Sequence, residues 1–449
     1  MAPSRKFFGT DGVRGEYGGA VMNDEFAWRL GAAAGRFVIE SGGTKGGLVV
    51  IGRDTRASGA ALERAIAGGL ASAGLKPETG GVVPTPAVSL AVRKSGAVLG
   101  VVITASHNPA ADNGIKFFGS RGSKLSDEQE ARIEELLPAS AGSAWTGPLV
   151  ERDLRGPYTE LATRLLGPQS LPGWKIVLDA ANGAGAVTSR TVLAALGADL
   201  TLIGDRPDGH NINAGVGSQH PEALGQAVRN AGARLGVAHD GDADRCVLCD
   251  ETGDPLDGDE ILVILALEAL ARNQLANQEL VVTVQSNLGV DAAIRAAGGK
   301  VVRTPVGDRY VSERMQADNA VLGGESSGHV VCADISPTGD GLVAALKVIA
   351  AMRRSNRPLS ELRRSLKKFP QETSALRVRE KIPLEKLVVL PAEIQSVQTE
   401  LGDRGRVLVR YSGTEPVLRL LVEGESNDVV GRMMGRLVAA AGRELRVEQ

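Results

Sequence analysis

The sequence predicts an α/β protein of several domains, for three reasons. The chain has 449 residues, which is enough for about three or four domains of ordinary size. Strand-like apolar runs alternate with helix-like runs, and connections of that length suit mixed or mainly parallel sheets. The 57 glycines cluster between these runs, where turns from strand to helix require them.

The clearest elements are spread over the whole chain. The strand-like runs are short and apolar, whereas the helix-like runs are longer and amphipathic. In chain order they are a strand at Leu48–Ile51, a helix at Ser58–Ala73, strands at Val98–Thr104 and Trp174–Leu178, a helix at Ala184–Leu196, and strands at Leu235–His239, Leu280–Val284, Arg406–Arg410 and Val417–Glu423.

Three segments divide the chain into four predicted domains. Pro138–Pro148 is a linker of small residues, Glu251–Gly258 is rich in turn-forming residues, and the basic segment Arg353–Pro370 precedes a different pattern. The predicted domains are 1–150, 151–256, 257–369 and 370–449.

Composition excludes several classes of function. The chain carries 51 basic and 53 acidic residues, a net charge of -2, whereas a sequence-independent nucleic-acid binder needs a basic excess. The longest apolar runs are too short or are broken by a charge, so none should span a bilayer, and no signal peptide is visible. Three cysteines are too few for a disulfide framework, so we expect a cytoplasmic location.

Two of these cysteines form a Cys-x-x-Cys pattern, Cys246 to Cys249. The stretch has the composition of an apolar strand, on which residues three apart point to opposite faces. Because no second Cys-x-x-Cys accompanies it, a structural role is favoured over a redox or zinc site.

A polar, glycine-containing loop or a serine loop follows a strand in each predicted domain. In open α/β sheets, ligands bind at the carboxyl ends of strands. The loops are Thr104–Pro109, Asp240–Arg245, Gly323–His329 and Arg410–Pro416. One such loop in each domain indicates a site in a cleft between domains.

The second loop carries three carboxylates, Asp240, Asp242 and Asp244, at alternate positions. On extended backbone all three would share a face, and a divalent cation would relieve their repulsion. An all-oxygen ligand set suits Mg²⁺, and Arg245 is the nearest cation in the sequence. A solvated acidic turn is the alternative, while an EF-hand is disfavoured because Arg245 stands where that loop needs glycine.

The first loop presents Ser106 at a strand-to-loop turn, where a serine can act as a nucleophile or phosphate carrier. We expect His107 to orient phosphate or support the loop, because neighbours in sequence rarely point toward each other productively. A helix N-cap is the alternative role for Ser106, and nothing in the sequence marks a serine-protease triad.

The remaining two loops offer groups that suit a phosphosugar. One could surround a phosphate with guanidinium, hydroxyl and backbone N–H donors, although a plain surface turn is the alternative. This phosphate-binding set is Arg410, Ser412, Gly413, Thr414 and Arg419. In the other loop, Glu325 and Ser327 lie two residues apart between glycines and suit vicinal sugar hydroxyls.

In this order, the serine, aspartate, sugar-type and phosphate-type loops resemble the α-D-phosphohexomutase superfamily over essentially the whole chain. The supporting strings are Phe8–Gly15, Asp112–Phe118, Val306–Tyr310 and Gly323–His329. The resemblance implies a four-domain phosphohexomutase architecture, with three related mixed-sheet α/β units and a smaller α+β C-terminal domain around a central cleft. A homodimer is an expectation that rests on the resemblance alone.

The resemblance also implies roles for the site residues. Ser106 would carry a phosphoryl group whose phosphate completes a Mg²⁺ site with the three aspartates, and Arg245 would hold a phosphoryl oxygen. The phosphate-binding set would hold the second phosphate, while Glu325 and Ser327 would hold the 3- and 4-hydroxyls. The candidates for moving the hydroxyl proton are Lys116, Arg14 and His329.

Within the superfamily, the strings are most similar to those of members that act on amino sugars. This implies interconversion of glucosamine 6-phosphate and glucosamine 1-phosphate through phospho-Ser106 and glucosamine 1,6-bisphosphate, supplying UDP-N-acetylglucosamine and cell-wall precursors. The alternatives are a mutase for mannose and glucose phosphates, a non-catalytic phosphosugar-binding regulator, and a phosphatase. The intact serine and aspartates argue against the regulator, because a binder needs neither.

Overall fold

The structure is a computed structural model that describes residues 5–9, 11–143, 145, 147–412 and 416–447. The chain packs as two compact units. The larger is Met1–Ser286 with Ile294–Ser365, and the smaller is Leu366–Gln449 with the segment Asn287–Ala293. Within the described ranges, no helix has the length and apolar character needed to cross a membrane.

The first sheet of the larger unit has six strands in the order β1-β5-β4-β2-β3-β6. Its strands are β1 Val13–Glu16, β2 Leu48–Arg53, β3 Lys76–Val82, β4 Leu99–Ile103, β5 Asp112–Gly119 and β6 Val150–Glu151. Its helices are α1 Asp24–Glu40, α2 Gly59–Ser72, α3 Thr85–Ser95 and α4 Asp127–Glu135. Val49, Val50 and Ile51 of the central strand β2 are fully buried, because helices cover both faces of a mainly parallel sheet.

The second sheet has five strands in the order β11-β10-β9-β7-β8. In chain order its elements are α5 Arg155–Arg164, β7 Lys175–Asp179, α6 Gly185–Ala195, β8 Asp199–Ile203, α7 Pro221–Ala231, β9 Leu235–Ala238, β10 Val247–Cys249 and β11 Pro255–Leu256. The short strand β11 lies inside the predicted turn segment Glu251–Gly258.

The third sheet has four strands in the order β13-β12-β14-β15. In chain order its elements are α8 Gly258–Ala271, β12 Glu279–Thr283, α9 Leu288–Ala296, β13 Lys300–Thr304, α10 Asp308–Asp318, β14 Leu322–Gly324, β15 Val330–Cys332, α11 Gly341–Ser355 and α12 Leu359–Leu362.

These three sheets repeat one topology. In each, a central strand pairs in parallel with one strand on either side, and one of those neighbours continues into an antiparallel hairpin. The repeated orders are β3-β2-β4-β5, β8-β7-β9-β10 and β13-β12-β14-β15. The hairpin loops of the three repeats contain the predicted serine, aspartate and sugar-type loops, so the repeat brings three unrelated sequence motifs to equivalent places.

The smaller unit has a different construction. Three antiparallel strands, β16 Gln371–Arg377, β17 Arg406–Tyr411 and β18 Val417–Glu423, form a sheet in the order β16-β18-β17. The helices α13 Val389–Leu401 and α14 Asn427–Glu444 contribute Leu390, Val397 and Met433 to the core under this sheet.

The predicted mixed-sheet α/β units and the smaller α+β unit are confirmed, and the strands and helices predicted from the sequence all occur with ends that differ by at most two residues. The boundaries at 150, 256 and 369 stay a prediction, and β6 Val150–Glu151 straddles the first of them.

Candidate active site

The hairpin loops of the three repeats meet in the larger unit. Ser106 Oγ of the first loop donates a hydrogen bond to Asp240 Oδ2 of the second at 2.6 Å. The second and third loops are joined by a backbone bridge between Arg245 and His329 and by a hydrogen bond from Cys246 N to Gly328 O at 3.0 Å. The predicted serine, aspartate and sugar-type loops are therefore neighbours in space.

Ser106 lies at a tight turn with φ of 54°, in the left-handed region that non-glycine residues seldom adopt outside functional sites. Its backbone N–H donates to Thr104 Oγ1 at 2.8 Å. This geometry turns the hydroxyl away from the strand and toward the aspartate loop, as a phosphate carrier requires.

The serine loop is held by a buried arginine that the sequence analysis did not identify. The guanidinium of Arg56 donates to the carbonyl oxygens of Ser106 at 3.1 Å and of Asn108 and Asp112 at 2.8 Å. It also pairs with Asp54 at 2.9 Å, and neither side chain is exposed. A backbone bent away from regular pairing leaves carbonyl groups without backbone partners. Arg56 supplies charged donors for them, and Asn213 Nδ2 adds bonds to Ser106 O at 2.9 Å and Asn108 O at 3.0 Å.

The three aspartates converge, although for a reason different from the predicted one. Oxygens of Asp240, Asp242 and Asp244 all lie within 4.8 Å of one another. The segment is a turn rather than extended backbone, because Ala243 N bonds Asp240 O at 3.1 Å and Ala243 has φ of 55°. The prediction of an extended segment was wrong; a tight turn, which the small Ala243 permits, brings alternate side chains together.

The cluster has the properties of a cation site. Asp242 Oδ1 and Asp244 Oδ1 are buried and have no hydrogen-bond partner among the described residues. Burial and the neighbouring Asp244 and Asp242 raise the pKa of Asp240 to about 8, a sign of negative charge without enough compensation. Converging carboxylate oxygens with free lone pairs fit a hard divalent cation, so the residues present fit the metal that the aspartate loop predicts.

Lys116 corrects the expectation that Arg245 is the one cation close to the aspartates. Its Nζ lies 3.1 Å from Asp242 Oδ2, 3.6 Å from Asp244 Oδ2 and 3.0 Å from Asp11 Oδ2. Burial alone would lower the pKa of Lys116, but Asp11 and the two aspartates raise it well above its usual value. Although burial opposes it, Lys116 in turn lowers the pKa of Asp242 to about 2.

A second group of charges joins the first and third repeats, and the sequence analysis had named only its member His329 as a site residue. Lys124 Nζ pairs with both Asp11 and Asp308. His329 Nε2 lies 3.1 Å from Asp308 Oδ2 and 3.8 Å from Asp244 Oδ2. These residues are distant in sequence, and only the pairing of the two repeats brings them together.

Arg14 and His107 flank the serine loop. Arg14 pairs with Asp11 and donates to Ala105 O at 3.2 Å and Asn108 Oδ1 at 3.1 Å. His107 Nδ1 lies 3.3 Å from Ser106 Oγ, closer than expected for sequence neighbours. Burial, with the charges of Arg245 and Arg14, lowers the pKa of His107 to about 4, so the imidazole is neutral near pH 7.

The sugar-type loop is tied to the chain segment that begins α10. Glu325 Oε1 accepts a hydrogen bond from Gly307 N at 3.1 Å. Ser327 Oγ is buried without a hydrogen-bond partner in the described part of the chain. Arg245 reaches Glu325 electrostatically: burial would lower the pKa of Arg245, but Asp240, Asp244 and Glu325 raise it.

The predicted phosphate-binding set belongs to the smaller unit. Arg410 and Arg419 are directly paired across β17 and β18, and burial together with the Arg419 charge lowers the pKa of Arg410. Ser412 O accepts from Lys381 Nζ at 2.8 Å, which places a further cation beside this loop. Gly413 and Thr414 lie outside the described residues, so the phosphate-binding assignment stays a prediction.

The cysteines show no sign of redox or zinc chemistry. Cys246, Cys249 and Cys332 are buried free thiols. Burial raises the pKa of Cys249 and Cys332 to about 12 and that of Cys246 further still. A protonated buried thiol is neither a nucleophile nor a metal ligand.

Four domain families match this chain in order. They are phosphoglucomutase/phosphomannomutase alpha/beta/alpha domain I over residues 5–141, domain II over 158–253, domain III over 257–369, and the C-terminal domain over 357–440. Together they cover most of the chain.

Full-length relatives agree with the domain matches. A phosphoglucosamine mutase of Bordetella petrii is 46% identical over 444 residues, covering 97% of this chain and 99% of the relative. A phosphoglucosamine mutase of Paracoccus denitrificans is 47% identical with the same coverage. Among solved structures, a phosphoglucomutase/phosphomannomutase family protein from Burkholderia thailandensis matches with a TM-score of 0.82 and 26% identity, covering 98% of both chains.

Proposed function

Because the chain belongs to the phosphoglucomutase/phosphomannomutase family, we propose that it interconverts glucosamine 6-phosphate and glucosamine 1-phosphate, the reaction of a phosphoglucosamine mutase. The full-length relatives named phosphoglucosamine mutase support this substrate. The observation that carries the chemistry is Ser106 Oγ, 2.6 Å from Asp240 Oδ2. Asp242 and Asp244 beside it each have a buried oxygen without a hydrogen-bond partner in the part of the chain that the structure describes.

The reaction proceeds through two phosphoryl transfers. In the first, the P–O bond to phospho-Ser106 breaks, a P–O bond to the sugar 1-hydroxyl forms, the hydroxyl proton leaves, and the serine oxygen takes a proton. The product is glucosamine 1,6-bisphosphate. In the second transfer the bisphosphate has reoriented: the P–O bond to the sugar O6 breaks, a P–O bond to Ser106 Oγ forms, the serine proton leaves, and O6 takes a proton. This yields glucosamine 1-phosphate and restores the phosphoenzyme.

Asp240, Asp242 and Asp244 would hold the metal, for which we propose Mg²⁺, with the phosphate on Ser106 as a further ligand. When bound, a divalent cation neutralises charge on the transferring phosphoryl group. The turn around Ala243 positions these carboxylates before the substrate arrives, and such preorganisation is the main contribution a protein makes to phosphoryl transfer.

Lys116 and Arg245 complete the charge around the transferring group. Lys116 Nζ lies 3.1 Å from Asp242 Oδ2 and 3.0 Å from Asp11 Oδ2, and as an ammonium it can stabilise negative charge on the transferring phosphoryl group. Arg245 is held cationic by Asp240 and Asp244 and can bind a phosphoryl oxygen. His329 and Arg14 border the same site through Asp308 and Asp11.

Glu325 and Ser327 are proposed to hold the ring hydroxyls, and Ser327 brings a buried hydroxyl with no partner among the described residues. Arg410, Ser412 and Arg419 are proposed to bind the phosphate that does not react. The three free cysteines favour a reducing compartment, and we propose the cytoplasm, where the product would supply UDP-N-acetylglucosamine and cell-wall precursors.

A coupled assay tests this function with glucosamine 6-phosphate and a trace of hexose bisphosphate to prime the serine. We expect kcat/KM for glucosamine 6-phosphate to exceed that for glucose or mannose 6-phosphate by at least about tenfold. Equal or faster turnover of the hexose phosphates would instead identify a phosphomannomutase/phosphoglucomutase, and release of free phosphate a phosphatase.

The phosphoenzyme is tested by intact-protein mass. The wild type should carry a phosphate adduct that Ser106→Ala abolishes together with nearly all turnover, because the serine oxygen is the phosphoryl carrier. Ser123→Ala, a serine of the first repeat outside the serine loop, is the matched control and should keep the adduct. An active Ser106→Ala enzyme would contradict the mechanism.

A further inference from the structure

Hydroxyl-binding groups explain how a hexose is held but leave the amine at carbon 2 without a partner. An ammonium group in a water-depleted site needs a carboxylate close to it. Which carboxylate serves this amine is a question that rests on the proposed function.

Several carboxylates at this site already have other roles or partners. Asp240, Asp242 and Asp244 form the carboxylate cluster that would hold the metal. Asp11 is surrounded by three cations, since it pairs with Arg14, Lys116 and Lys124. Glu325 is assigned to ring hydroxyls. Asp308 remains, and among the described residues its one lysine or arginine contact is Lys124, which it shares with Asp11.

Asp308 also lies in the right place. It is the first residue of α10, directly after Gly307, whose backbone N–H binds the Glu325 carboxylate at 3.1 Å. The amine-bearing carbon 2 adjoins carbon 3, whose hydroxyl Glu325 is proposed to hold. The Asp308 side chain keeps 10% exposure, so part of the carboxylate can be reached by a ligand.

His329 supplies a second, independent observation. The residue is 2% exposed, yet neither ring nitrogen has a hydrogen-bond partner in the described part of the chain. Its Nε2 lies 3.1 Å from Asp308 Oδ2 without the alignment of a hydrogen bond. Buried polar atoms are seldom left without partners in a complete structure, so these nitrogens indicate a ligand with polar hydrogens beside Asp308.

We propose that Asp308, assisted by His329, is the subsite for the 2-ammonium group of the amino-sugar phosphate. An ammonium has three N–H donors, enough to serve both the carboxylate and a ring nitrogen. The 2-hydroxyl of a glucose or mannose phosphate is neutral and gains less from an ionised carboxylate. Asp308 is therefore the residue that makes this site prefer an amino sugar.

The test compares kcat/KM for glucosamine 6-phosphate and glucose 6-phosphate in the wild type, Asp308→Asn and Asp11→Asn. Asp308→Asn should reduce the preference for the amino sugar at least about tenfold, because the amide keeps the shape and removes the charge. Asp11→Asn is the matched control, because it also removes a carboxylate that pairs with Lys124. It should lower kcat/KM for both substrates by the same factor and leave the preference unchanged.

A second variant and a folding measurement distinguish a role in substrate preference from a purely structural role. Asp308→Glu keeps the charge and should retain more of the preference than Asp308→Asn, and far-ultraviolet circular dichroism verifies that both variants fold. Should Asp308→Asn fail to fold, the preference of Asp308→Glu is compared with that of Asp308→Gln. Proportional losses on both substrates would reduce Asp308 to a salt-bridge partner of Lys124 and overturn the inference. A wild type that does not turn over glucosamine 6-phosphate would refute the proposed function instead.

Discussion

Variants of Arg56 can separate the contribution of this residue to fold stability from its contribution to the geometry of the serine loop. Its side chain has two tasks: it neutralises the buried Asp54 at 2.9 Å, and it donates to backbone carbonyls of the serine loop. Arg56→Met removes both. Breaking a fully buried ion pair by deleting one partner costs about 3–5 kcal/mol of unfolding free energy. In Arg56→Met the Asp54 carboxylate loses its opposite charge and keeps hydrogen bonds from the backbone N–H of residue 56 and from Thr104.

The double variant Asp54→Asn/Arg56→Met removes the orphaned charge as well. It should recover much of the lost stability, yet turnover should stay low, because the carbonyl groups of Ser106 and Asn108 have lost the guanidinium donor and keep the Asn213 amide as a neutral one. Urea unfolding is followed by tryptophan fluorescence, and phosphosugar turnover is measured on the same samples. A double variant that regained full activity would refute the positioning role, and a loss below about 1 kcal/mol in the single variant would refute the energetic argument.

The pH dependence of the single variant adds a check on its cause. Burial already raises the pKa of Asp54 above its usual value, while Arg56 lowers it. Without Arg56 that pKa rises further, and the folded state then binds a proton more tightly than the unfolded state does. The stability deficit of Arg56→Met should therefore shrink as the pH is lowered.

Three further predictions concern the aspartates that would hold the metal, the phosphate that does not react, and the N-cap of α11. Asp242→Asn should lower kcat severely while leaving the fold intact, and chelation with EDTA should abolish wild-type turnover until Mg²⁺ is restored; undiminished turnover after verified metal removal would contradict this. Arg419→Ala should weaken phosphosugar binding by about 1.5–3 kcal/mol and raise KM more than it lowers kcat, so unchanged affinity in calorimetry would count against the phosphate-binding assignment. Burial raises the pKa of Asp340, the N-cap of α11, to about 6. Because the folded state binds this proton more tightly than the unfolded state, whose pKa is about 3.9, the protonated carboxyl contributes stability that is fully present below about pH 3.9. That contribution is lost as the pH rises through about 6. Asp340→Asn keeps the cap without the charge. The unfolding free energy of this variant minus that of the wild type, measured with urea, should therefore increase as the pH rises over this range. If the difference did not vary with pH, the charge of Asp340 would carry no cost.

The sequence was most informative where function depends on local pattern. Apolar runs bounded by turn residues located the strands, and the loops after them located Ser106 and Asp240 because a strand end is recognisable from its neighbours. The backbone of the aspartate loop was predicted wrongly, since alternation of side chains indicates extended chain unless a left-handed residue such as Ala243 intervenes. Nothing in the sequence marks Ala243 as left-handed, because alanine seldom is.

Contacts between repeats could not be predicted from the sequence. Lys124 reaches Asp11 and Asp308 only because two repeats pack against each other, and that packing depends on sheets far apart in the chain. Lys116 was identified as a candidate site residue, but its approach to Asp242 was not, since β5 and the aspartate loop belong to different sheets. Arg56 follows a strand without any distinctive pattern, so its role becomes visible only through the carbonyls it contacts.

The burial of all three thiols has a practical consequence for spectroscopy. Because the native cysteines are enclosed and protonated, a maleimide or a thiol-specific spin label should leave the folded wild type unmodified and react with about three groups per chain after denaturation. A single cysteine introduced at an exposed position could then be labelled without first replacing the natural ones. Distance measurements between chosen pairs of such positions become possible in an otherwise unaltered enzyme, during turnover as well as at rest.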